Sequence, residues 1–159
     1  MSEIRVDVYR SIPFQIEAVN TCLLDFERAQ PRLIAGIFDD YAVLSGGIGE
    51  GTVVLCGMTV RGKLRPFEFR ISEPIPSKII TGYDHDSRFA ITWRLRAEGA
   101  ATEVEIEVYW SEPDSAFGFV TAWWANIVVR RMLKQVLARL PEVIVELGYD
   151  IPPPSLPRR

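Results

Sequence analysis

The chain has 159 residues, 48% of them apolar and 25% charged, an ordinary globular mixture that excludes a disordered or fibrous protein and fits a single domain with one core. Its net charge of -3 gives no general attraction to polyphosphate or to an anionic membrane surface, so no nucleic acid partner is expected. The two cysteines, Cys22 and Cys56, have apolar neighbours and no metal-ligand spacing; they read as buried free thiols in a reducing compartment, with a disulfide the less favoured alternative.

The N-terminal MSEIRVDVYR alternates charged and apolar residues, so no signal peptide is expected and the expected location is cytoplasmic. Within it, Ile4 to Ser11 reads as a first strand ended by Pro13. Phe14 to Phe26 then has helical spacing through Ile16, Val19, Leu23 and Phe26, and Pro31 separates it from a second short helix, Arg32 to Phe38. Six strands follow: Tyr41 to Ser45, Gly51 to Val60, Arg65 to Ser72, Ser77 to Asp84, Ser87 to Ala97 and Thr102 to Ser111. The short turns between them imply an antiparallel meander.

In the last hairpin, Phe89, Ile91, Trp93 and Leu95 share one face with Val104, Ile106, Val108 and Trp110 if Leu95 pairs with Val104. That register also sets Arg94 against Glu105 and Arg96 against Glu103 on the opposite face. The sheet is therefore expected to be covered on one side only and curved around a helix. Phe67, Phe69 and Ile71 extend its inner face.

Ala116 to Leu140 reads as one long helix. Its second half places Met132, Leu133, Val136, Leu137 and Leu140 on the core side, with Arg130, Arg131, Lys134, Gln135 and Arg139 on the wet side. Projected back, this phase turns Gly118, Ala122, Ala125, Asn126 and Val129 inward and Phe117, Val120, Trp123, Trp124, Ile127 and Val128 outward. Small residues inside suggest room for a ligand. Large ones outside suggest a cover or a partner, and a homodimer through this face is expected. The apolar run from 116 to 129 is shorter than the ~18 residues of a membrane span, so none is expected. Residues 1–147 form the expected single domain, and 148–159, with four prolines, an extended mobile tail.

This order resembles the helix-grip fold of the START-like superfamily, also called SRPBCC, and within it the polyketide cyclase/dehydrase-like branch. Ile12-Pro13-Phe14, Asp25-Phe26, Gly49-Glu50-Gly51-Thr52 and Ala101-Thr102-Glu103-Val104 carry the resemblance over residues 4 to 147. Pro31-Arg32-Leu33 departs from it where relatives often have a tryptophan. The resemblance implies an α+β helix-grip fold: a seven-stranded antiparallel curved sheet wrapped around a long C-terminal helix, with two short helices after strand one. It also implies a hydrophobic cavity between sheet and helix, and a place for the 46–51 loop beside its entrance. Some members bind lipid, sterol or polyketide there; others cyclise or dehydrate.

Candidate chemistry is sparse. His85, the only histidine, sits in Asp84-His85-Asp86 and reads as a solvated corner before it reads as a proton shuttle. Gly46 to Gly51 lacks a following Gly-Lys-Ser/Thr and reads as a mobile hairpin loop rather than a phosphate cradle. No metal or other cofactor is expected. Polar side chains expected to face inward are Tyr83, Thr81, Thr59 and Asn126, with Tyr83 and Asn126 the weak candidates for catalysis. The expected ligand surface is Phe67, Phe69, Tyr83, Phe89, Trp93, Ile106, Trp110, Gly118, Ala122 and Asn126. Binding of a hydrophobic small molecule, lipid or polyketide-like, is the leading reading. A polyketide cyclase, dehydrase or aromatase is the first alternative, and a protein interaction module using the aromatic helix face the second.

Overall fold

The computed structural model describes residues 2–60, 62–112 and 118–151. Phe117, expected on the outer helix face, and the prolines of 152–159 lie outside them. For Gly118, Val120, Ala122, Trp123 and Trp124 the description reaches only the helical backbone.

The elements are β1 (Ser2–Ile12), α1 (Ile16–Leu24), α2 (Gln30–Leu33), β2 (Asp39–Ser45), β3 (Val53–Val60), β4 (Lys63–Ile75), β5 (Ile79–Asp84), β6 (Ala90–Glu98), β7 (Ala101–Glu112) and α3 (Gly118–Leu147). The seven strands form one antiparallel sheet in the order β1-β7-β6-β5-β4-β3-β2. Irregular register between β2 and β3 and between β4 and β5 helps bend it. Leu95 pairs with Val104, Arg94 with Glu105 and Arg96 with Glu103, the register expected from sequence. Arg94 is hydrogen-bonded to Glu105, and Arg96 lies 2.9 Å from Glu103, on the exposed face.

The core lies between the concave side of the sheet and the helices. Val6, Val8, Ile12 and Val104 meet Val19 and Leu23 of α1 and Leu133, Val136, Leu137 and Leu140 of α3, all buried. From Ile127 onward the phase assigned to α3 therefore holds, with Val129 packed on the core and Ile127 40% exposed.

Two expectations for α3 are corrected. The helix does not stop before Pro141 but runs on to Leu147. A proline inside a helix costs ~3 kcal/mol, and burying Val143 and Ile144 offsets it at ~1.5 to 3 kcal/mol each. Gly148, at φ 77, then ends the helix: its N-H reaches the Val145 carbonyl at 3.2 Å, and the Tyr149 N-H reaches Ile144 at 3.0 Å. The basic residues are also not uniformly solvated. Arg130 donates to the Asp7 carbonyl at 3.0 Å, and Arg139 donates to Leu33 and Ala35 at 3.1 and 2.7 Å.

Beyond the helix, Tyr149 is half-buried against the core and its hydroxyl is hydrogen-bonded to Oδ2 of Asp25. The start of the expected tail is thus fastened to the domain. Both cysteines are free and buried.

Candidate functional site

An apolar cavity opens on the concave side of the sheet. Its floor is Val54 and Cys56 of β3, Phe69 and Ile71 of β4, Ile80 and Gly82 of β5, and Ile91 and Trp93 of β6. Phe26, Gln30, Ile34, Phe38 and Tyr41 close the other side. Alternation within each strand delivers these residues to one face. In β5 the inward set is Ile80, Gly82 and Asp84. Gly82 keeps the floor low: a Cβ there would come within 3.3 Å of Cδ1 of Ile71.

The volume is about 60 Å³. Pockets for organic ligands run to ~300 to 1,000 Å³, so the lining must move to admit one. A part of the lining outside regular helix and strand is the 34–38 turn after α2, which carries Ile34 and Phe38.

Three polar side chains border the space. Gln30, only 6% exposed, donates from Nε2 to the Leu23 carbonyl at 2.8 Å. The Tyr41 hydroxyl donates to the Phe26 carbonyl at 2.6 Å, and burial raises its pKa well above the ordinary value. Burial also pushes the Cys56 thiol up to about 12, with the nearby Asp84 carboxylate adding to the effect, so it stays protonated at neutral pH.

Beside the cavity, Phe67 stacks on Phe69 at 5.5 Å between ring centroids, and Phe89 stacks on Trp110 at 5.9 Å. Phe67 and Phe89 meet at 5.0 Å, joining the pairs into one aromatic cluster.

The expected site residues divide accordingly. Phe69 and Trp93 line the cavity; Phe67, Phe89 and Trp110 form the cluster next to it, and Ile106 is buried in the core. Asn126 is half-buried on α3 and is absent from the cavity's described lining, which comes from the sheet and the segment between α1 and β2 and not from α3.

Tyr83 is a correction. It is 39% exposed on the convex face, one residue out of phase with Gly82 and Asp84, and therefore cannot meet a ligand in the cavity. Thr81 shares its outward parity, and Thr59 is exposed. Tyr83 instead lies edge-on to His85 at 6.4 Å and borders a recess with Glu3, Arg88, Tyr109 and Ser111. That recess is larger, at about 520 Å³, but it is an open surface feature bordered by exposed or half-exposed side chains.

The glycine loop is tied down rather than loose. The Phe26 N-H reaches the Gly47 carbonyl and the Gly49 N-H reaches Leu24, both at 2.9 Å. The Gly47 N-H donates to Oγ1 of Thr52 at 3.1 Å, and the Glu50 N-H to Glu73 at 3.1 Å. These donors are already used inside the protein. At Gly46, φ is 74 and a Cβ would come within 2.9 Å of the Thr52 backbone, so the turn requires glycine.

Sequence reasoning missed Gln30 and Tyr41. Both line the cavity because the fold brings Gln30 to the Leu23 carbonyl and Tyr41 to the Phe26 carbonyl, a tertiary arrangement without a local motif. Among the described residues no helix is long and apolar enough to cross a membrane, and none forms a metal-ligating cluster.

No protein-family model matches the sequence, and no curated protein matches it either. Solved structures do. The KanY protein superposes with a TM-score of 0.79 at 20% identity, covering 91% of this chain and 99% of that one. A START superfamily protein from Mycobacterium smegmatis gives 0.67 at 12%, over 90% and 98%. The Zhui aromatase/cyclase from Streptomyces sp. R1128 gives 0.59 at 14%, over 92% and 94%. At these identities the likeness is one of architecture, and the architecture agrees with the order of elements read from the sequence. The chain has the helix-grip fold of START-like proteins.

Proposed function

We propose that this protein binds a hydrophobic small molecule, lipid or polyketide-like, on the concave side of its sheet, in the space closed by the segment from Phe26 to Tyr41. The observation that carries this reading is the cavity itself: an apolar void lined by aromatic and aliphatic side chains, buried or half-buried, with few polar groups that could orient a guest. The likeness to a START superfamily protein from Mycobacterium smegmatis supports the same reading. Binding requires the 34–38 turn, which carries Ile34 and Phe38, to give way, because the present volume is about 60 Å³.

The likeness to an aromatase/cyclase favours polyketide cyclisation or aromatisation as a second reading. It receives less support from the residues. Polarising a ketone needs hydrogen-bond donors aimed at its oxygen, whereas the Tyr41 hydroxyl and the Gln30 amide N-H already donate to backbone carbonyls. We further propose that the outer face of α3, where Ile127 is exposed, packs on a second copy; sedimentation at micromolar concentration showing monomer alone, unchanged by Trp124→Glu, would overturn that.

Native mass spectrometry of the purified protein tests the binding reading. An apolar adduct released on denaturation supports it. Repeated absence of any adduct, together with no uptake of 2-naphthol or a fluorescent fatty acid, overturns it.

A further inference from the structure

The hydrogen bonds around the cavity specify what polar group its guest carries. The orientation of the Gln30 amide is fixed, since only its NH2 side can face the Leu23 carbonyl 2.8 Å away. Oε1 is then the other atom. It accepts no hydrogen bond from any described residue, although the side chain is only 6% exposed and lines the cavity. Tyr41 has the same polarity: its one proton is committed to the Phe26 carbonyl, leaving lone pairs on Oη to accept. The anchoring carbonyls belong to Leu23 and Phe26, and both side chains belong to the cavity lining. Among the described residues only Oδ1 of Asn20 is sealed off without a hydrogen-bond partner, so water can reach Oε1 of Gln30. A ligand that displaces water there must bring a donor of its own; one with only a carbonyl or ether oxygen sets acceptor against acceptor.

We propose that this cavity selects a flat hydrophobic ligand bearing a hydroxyl or N-H donor, received by Oε1 of Gln30 and Oη of Tyr41, and discriminates against the carbonyl or ether analogue. The inference rests on the binding function proposed above. It narrows that function to hydroxylated or amine-bearing ring compounds, with Phe38, Phe69 and Trp93 supplying the aromatic surface around them.

Calorimetric titration of the full chain with 2-naphthol and with 2-methoxynaphthalene tests it. The two probes share a ring system and differ in the donor. The expected result is about tenfold tighter binding of 2-naphthol, the worth of one net hydrogen bond, with the preference lost in Gln30→Met. Equal affinity for both probes in the unaltered protein overturns the inference and leaves the binding function standing. Binding of neither probe removes the basis of both. A preference that persists in folded Gln30→Met overturns the assignment to Gln30. Should that variant fail to fold, the side-chain amide resonances of Gln30 in the unaltered protein decide: a shift with 2-naphthol but not with the ether supports the proposal, and no shift with either overturns it.

Discussion

Two buried aspartates hold two corners of this fold, and they do so over different distances in the chain. Asp25, at the end of α1, accepts the N-H groups of Glu27 and Arg28 on Oδ1 at 3.1 and 2.9 Å, and the Tyr149 hydroxyl on Oδ2. Asp84, at the end of β5, accepts the Ser87 N-H and hydroxyl on Oδ2 and, more weakly, the Glu68 N-H at 3.4 Å on Oδ1. Each is at most 5% exposed, and each raises the pKa of a neighbouring buried thiol, Cys22 beside Asp25 and Cys56 beside Asp84. The chemistry is nearly the same. The difference is that Tyr149 lies 124 residues from Asp25, whereas the stronger partners of Asp84 lie within its own turn, three residues away. A carboxylate with local partners shapes a corner, while one with a distant partner also joins the C-terminal helix to the first.

Replacing the carboxylates separates the two cases. Asp25→Ala is expected to cost about 3 kcal/mol in denaturant unfolding, because it removes two turn bonds and the tertiary one together. Asp84→Ala is expected to cost about 2 kcal/mol, since water can reach the exposed Ser87. Equal losses would remove the distinction.

The thiols give the matching pH test. Burial, with the adjacent carboxylate, pushes each up to about 12 from an ordinary 9.0. The unfolded chain therefore sheds these protons first as pH rises. The stability they contribute is intact below pH 9 and declines toward 12, by about 1.4 kcal/mol per thiol per pH unit. Melting points at pH 8 and 10.5, compared with those of Cys22→Ala and Cys56→Ala, are expected to show half of this decline disappearing in each variant.

The smallest effect isolates the distant bond. Tyr149→Phe is expected to cost about 1 kcal/mol and to speed hydrogen exchange at the end of α1 while leaving the Asp84 corner unchanged. Loss of protection at both corners would mean that they open as one unit.

How much of this was legible beforehand follows from where the information lay. The β6–β7 register was readable because the apolar face and the Arg/Glu face impose the same pairing independently. β5 was not, because Ile79 and Ile80 are adjacent and either parity has an apolar start. Tyr83 argued for one phase, but the structure takes the other, with Asp84 buried as a turn acceptor and Gly82 beneath the cavity. Pro141 hid the last two turns of α3, although Gly148 carried the true stop signal. In the cavity, Phe69 and Trp93 followed from alternation alone. Gln30 and Tyr41 did not, since the polarity of each is set by a backbone carbonyl that only the folded chain brings within reach.

On the binding function proposed above, Arg139 gives α3 a say in ligand entry. Its guanidinium holds the carbonyls of Leu33 and Ala35, on either side of Ile34, which lines the cavity. Any outward swing of that wall must stretch or break these two bonds, so the population of the open form is set in part by a residue remote from the guest. The apparent affinity is the intrinsic affinity scaled by that population. Loosening the Arg139 grip is therefore a route to tighter binding that leaves every ligand contact as it was.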